Sequence, residues 1–130
     1  MSDFDKIEYW LEIAEYDIDT AKAMLETGRL LYVGFMCHQA IEKSFKAIYV
    51  KNFQQIPPYS HSLSGLLRKI GLESELDNIQ LDLIDKLDPL NIEARYPTYK
   101  DEMFKSLSKE YCSSILNDTE SMMLWVKSKL

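Results

Sequence analysis

A chain of 130 residues with 46% hydrophobic residues has the size and composition of one packed domain and is too apolar to be a disordered tail. A formal net charge of −6 excludes a general coat for duplex DNA, which needs a dominant positive field. No run approaches the roughly 18 apolar residues of a membrane span. The acidic start MSDFDKIEYW is unlike a secretory leader, so the expected location is the cytoplasm.

The elements follow in chain order. Ser2 and Asp5 have the spacing of a capping box and open a first helix. Along it Phe4, Ile7, Trp10, Leu11, Ala14, Ile18, Ala21 and Leu25 fall on one stripe, and Gly28 sits where a helix ends. The next helix is expected over Leu30 to Phe53, stopping before Pro57-Pro58. Ser62 can cap a short third helix, Leu63 to Ile70, closed by Gly71. Leu76, Ile79, Leu83, Leu87 and Leu90 mark a fourth, disturbed by Pro89. The segment ARYPTYKDE is a break, and a last helix carries Phe104, Leu107, Tyr111, Ile115, Met122, Trp125 and Val126. No stretch shows a strand's period of two. The expectation is all-α: an antiparallel up-and-down bundle of about five helices in a single domain, residues 1–130.

The second helix holds the chemistry. At about 100° per residue, Leu30, Gly34, Ile41, Phe45 and Ile48 form an apolar stripe. Cys37, Ala40, Ser44 and Ala47 form a small-residue stripe beside it, which makes this the central helix of the bundle. The remaining edge carries His38, Gln39, Glu42 and Lys46, expected to be half-shielded at the rim of the core. Glu42 and Lys46 are an i,i+4 ion pair worth a few tenths of a kcal/mol if exposed. Asp17 lies at the margin of the first helix's stripe, with Lys43, Lys46 and Arg95 as candidate partners. His61 flanks the third helix's cap. Arg95, Tyr96, Tyr99 and Lys100 place two cations among aromatic rings, suited to a phosphate and a stacked base. That segment is expected to cover the edge, with Arg95 on Glu42 or Asp17. Asp82, Asp85 and Asp88 read as a solvated acidic face with no loop to wrap an ion, and no metal site or cofactor motif is present in the sequence. Cys37 and Cys112, in helical patterns, read as buried, reduced thiols.

Four pieces, YWLEIAEYDIDTAKAML, HQAIEKSFKAIYV, HSLSGLL and ARYP, resemble the HEPN family in order and spacing. The resemblance spans nearly the whole chain and is strongest at QAIEKSFKA. It implies a compact helical bundle, usually a homodimer, that engages nucleotide or RNA and is often coupled to a small nucleotidyltransferase in a toxin–antitoxin pair. Many members of the family are metal-independent ribonucleases carrying an Arg followed four to six residues later by a His. Here Arg29 precedes His38 with eight residues between them, and both histidines precede Arg68 and Arg95. The first expectation is therefore a non-catalytic nucleotide- or RNA-binding module acting with a nucleotidyltransferase. The alternative is a metal-independent ribonuclease with a rearranged site. Eight Tyr, five Phe and two Trp exceed what a small bundle readily hides, consistent with a homodimer.

Overall fold

The computed structural model describes residues 2–93 and 107–130, and among these there is no strand. Helix α1 spans Asp3–Glu26, α2 Leu30–Phe53, α3 Leu63–Ile70, α4 Asn78–Leu87, α5 Leu90–Glu93 and α6 Lys109–Lys127. The expected helices are present, and local chemistry sets most of their ends. Ser2 and Asp5 form the reciprocal cap of α1, and Gly28 turns the chain out of it at φ 77°. Ser62 accepts from the Gly65 amide to start α3, and Gly71 ends it in the left-handed conformation. A cap that the sequence reading missed, Asp77 with Gln80, starts α4.

The expected fourth helix is shorter than its leucine pattern. It ends at Leu87, and after Asp88-Pro89 the chain resumes as the single turn α5. Pro89 lacks the N–H that a continuing helix needs. Leu76 precedes α4, after a 3-10 turn at Glu73–Glu75. Of the last helix's pattern, Leu107 precedes α6 and Phe104 lies outside the described residues.

Helix α2 is central. It packs along α1 and also meets α3, α4, α5 and α6. Fifteen of its 24 residues are buried, so no face of its middle turns is left to water. Cys37, Ala40 and Ala47 lie wholly inside, with Ser44 alongside. At Gly34 the tip of the Leu90 side chain, Cδ1, occupies the space a Cβ would take, so a larger residue there would have to move it. One apolar core, with Ile18, Ile41, Phe45, Leu63, Leu66, Leu83, Leu87, Met122 and Val126 among its members, joins these elements. Both cysteines are buried and free, and burial pushes the Cys37 thiol up to about 12. Among the described residues no helix is long and apolar enough to cross a membrane.

Candidate functional site

The polar edge of α2 is not a half-shielded rim. His38, Gln39, Glu42 and Lys46 are all buried, because three elements close over them. From α1, the Trp10 ring lies under the Lys46 ammonium, 5.5 Å from its centroid, and Asp17 approaches Lys43. From the segment leading into α3 comes His61. From α5, the Asn91 side chain accepts from Gln39 Nε2 at 2.9 Å.

Glu42 is the hub. His61 Nδ1 lies 2.8 Å from its Oε1, while Lys46 Nζ at 3.2 Å and Lys43 Nζ at 3.6 Å share its Oε2. Burial by itself would raise the Glu42 pKa. The His61 hydrogen bond and the two ammonium groups outweigh that, and hold the carboxyl below the ordinary range. Glu42 is thus an ionised, acceptor-only group, so the proton in the His61–Glu42 bond sits on Nδ1. Of the cations expected for Asp17 that lie among the described residues, Lys43 is the one beside it, at 3.8 Å, and it also donates to Gln39 Oε1 at 2.9 Å. Burial pushes Asp17 up, opposed by Lys43 and reinforced by Glu42.

His38 is placed differently from its neighbours. It is 0% exposed, and neither ring nitrogen has a hydrogen-bond partner among the described residues. Its Nε2 comes within 3.9 Å of Asp88 Oδ1. Burial nonetheless pushes its pKa down to about 4, against the pull of Glu42, Asp88 and the His61 backbone. At neutral pH the ring is uncharged and this contact is not an ion pair.

Asp88 corrects a second expectation. Asp82 and Asp85 are exposed, but Asp88 is half-buried and works as a staple. Its carboxylate accepts from the Leu63 amide at 2.8 Å and from the Ser64 amide and hydroxyl at 3.4 and 3.0 Å. This fixes the N-terminus of α3, and with it the path of His61.

Sequence reading named both His61 and Glu42 but did not pair them, and missed Trp10, Tyr59, Asp88 and Asn91 as members of this neighbourhood. Tyr59 had a readable signal, an aromatic residue in the turn after Pro57-Pro58. It is 95% exposed, and its ring meets that of His61 edge-on at 5.6 Å between centroids. Arg95, Tyr96, Tyr99 and Lys100, expected to cover the edge, lie outside the described residues. Two open cavities, about 540 and 220 Å³, sit on α6, against the end of α1 and against α4, away from this cluster.

The geometry defines an all-helical bundle that buries a charged hub on its central helix and exposes one histidine and one tyrosine beside it. This chain belongs to the HEPN domain family, whose sequence profile matches residues 7–129. It is 28% identical over 132 residues, 93% of this chain and 86% of the other, to a Methanocaldococcus jannaschii protein named "Putative toxin MJ1304". The crystal structure of TT1696 from Thermus thermophilus superposes with a TM-score of 0.80 at 20% identity, over 96% of this chain and 98% of that one. ST0689, described as an archaeal HEPN homologue, gives 0.65 at 22% identity, over 95% and 96% of the two chains. Both structures have the same fold.

Proposed function

We propose that this protein is the HEPN component of a toxin–antitoxin-type system. It binds nucleotide units, free or within RNA, at the α2 edge. In this reading the chain is a single domain that acts in the cytoplasm as a homodimer, together with a nucleotidyltransferase partner. The relative named as a toxin supports the system, and family membership supports the ligand class.

One observation carries the binding reading: Lys43, Lys46 and His61 converge on Glu42, beside the rings of Trp10 and Tyr59. Lys43 and His61 keep part of their surface at the margin of this buried cluster, where nitrogen donors suit a phosphate. An exposed tyrosine next to them suits a base, since every base presents a face on which a ring can stack. The strip is short, so it fits one or two nucleotide units rather than a duplex.

Thermal unfolding with ATP, GTP or a short single-stranded RNA tests the reading. A ligand at about 100 times its Kd adds about 2.7 kcal/mol, an upward shift of several degrees for a chain of this size. A midpoint unmoved by all three at millimolar nucleotide and micromolar RNA would sink it.

A further inference from the structure

We propose that the outer face of α1 is a docking surface for a partner protein that presents a row of Lys and Arg side chains. This face is separate from the α2 edge, and the proposal stands whether or not that edge binds nucleotide.

The face is unpartnered among the described residues. Helix α1 packs along α2 and meets α6, and its remaining side is turned to water. At about 100° per residue, Glu8, Tyr9, Glu12, Glu15, Tyr16 and Asp19 share one arc of roughly 120°. The arc points away from the buried Ala14, Ile18 and Ala21, and all six of its residues are exposed.

Two of the six are tyrosines, about two turns apart along the helix. Tyr16 is 75% exposed and Tyr9 52%, and neither belongs to the apolar core. The Tyr9 ring meets Trp10 edge-on, at 6.0 Å between centroids, and its outer side is open. A tyrosine covers a large area with little loss of rotamer freedom, so such rings anchor interfaces.

The charge of the chain is concentrated on the same helix. Helix α1 holds 8 acidic residues and 2 basic ones, a net −6 that equals the net charge of the whole chain. The rest of the chain balances at 13 acidic and 13 basic residues. Glu15 lies 3.7 Å from Lys127 and Asp19 3.8 Å from Lys22, yet both carboxylates stay more than half exposed. Glu8 and Glu12 have no ion-pair partner among the described residues.

That charge selects the occupant. A second copy of this face would set two carboxylate rows against each other, and RNA or an anionic bilayer would bring phosphates to them. Like charges brought together in this way oppose association. A row of Lys and Arg meets the carboxylates instead and lays its stems and cationic heads over the tyrosine rings. Exposed ion pairs add little strength one by one. The rings therefore hold the partner, while the carboxylates steer it and turn away anionic competitors. From Glu8 to Asp19 the face runs about 16 Å, the length of three turns of a basic amphipathic helix.

The probe is a fluorescent helical peptide of leucine and lysine with its lysines along one face, and the control is its glutamate counterpart. The full chain is titrated with each at an ionic strength of about 0.15 M. The lysine peptide should bind and the glutamate peptide should not. Tyr9→Ala combined with Tyr16→Ala should weaken binding about 10-fold at unchanged net charge. Tyr16 has no core contact, so Tyr16→Ala alone, weakening it by a smaller factor, carries the test if the pair does not fold. Glu8→Gln with Glu12→Gln should weaken binding and flatten its salt dependence. Asp82→Asn with Asp85→Asn removes equal charge from the exposed side of α4 and should leave binding unchanged. A spin label on the lysine peptide should broaden amide resonances of α1 ahead of those of α4 and α6.

Absence of binding overturns the proposal. So does binding that Tyr16→Ala leaves unchanged, or that depends on the α4 carboxylates as much as on those of α1, because either result describes a general pull of an acidic protein on a cation. A dimer that the tyrosine substitutions split, by light scattering, gives the face to a second copy and overturns it as well.

Discussion

His61 Nδ1 lies 2.8 Å from Glu42 Oε1, and that carboxylate is 1% exposed although the two residues are 19 positions apart. The bond ties the segment before α3 to the middle of α2. It also leaves Glu42 balancing Lys46, which is buried too. Removing the carboxylate strands an ammonium group in the interior. Glu42→Ala should therefore cost about 3–5 kcal/mol in urea unfolding, far more than an exposed i,i+4 pair. A loss below about 1 kcal/mol would mean that water reaches Lys46 freely.

The same carboxylate gives an acid dependence of definite sign. Its folded pKa lies below the ordinary 4.5, so its contribution is present above that value and is lost as pH falls through the folded pKa.

His38 acts at higher pH. Its pKa falls from 6.5 to about 4 on folding, so the unfolded chain binds the proton first. Its contribution is present above pH 6.5 and is lost as pH drops towards 4, by about 3 kcal/mol. Asp17, raised by burial, works the other way and offsets part of this as pH falls. His38→Leu should flatten the stability profile between pH 6.5 and 4, measured by denaturant unfolding at each pH. It should also leave stability at pH 7 unchanged or higher, since it removes two buried polar atoms that have no hydrogen-bond partner among the described residues. An unaltered slope would show that His38 is not the group titrating there.

Ala40 has no exposed surface and lies in the small-residue stripe of α2. Ala40→Leu should destabilise by about 1–3 kcal/mol, because added methylenes find no room in a packed interior. A neutral result in thermal or urea unfolding would mean that the stripe is not at a close helix contact.

Exposed rings and aliphatic side chains bear on assembly. Phe4, Tyr9, Tyr16, Tyr32, Phe53, Ile56 and Leu124 are all exposed on this chain. Light scattering at micromolar concentration should give twice the 15.2 kDa of one chain. A mass of one chain would contradict the homodimer.

The helices were legible in the sequence because their ends are local chemistry. Ser2 with Asp5, Gly28, Ser62 and Gly71 each act within a few residues of themselves. The central place of α2 was legible too, from an apolar stripe lying beside a small one. The partners across the site were not. Glu42 meets His61 over 19 positions and Gln39 meets Asn91 over 52, and no periodicity encodes which loop closes on which edge. Spacing of three made Asp88 look like one of a solvated row. Its role depends on where α3 begins in space, a tertiary fact. The edge was read as half-shielded for the same reason: one helix wheel shows which residues share a face, not what folds over it.

The most direct test of the α2 edge as a nucleotide-binding surface is fluorescence anisotropy of a labelled 2′-O-methyl RNA oligomer against the wild type and Tyr59→Ala. Tyr59 is 95% exposed, so its removal leaves the bundle intact, which circular dichroism would check. Stacking on a tyrosine contributes about 1–3 kcal/mol per base, so Tyr59→Ala should weaken binding by about 5- to 150-fold at fixed salt. Binding of equal strength in the two proteins would contradict a site beside His61.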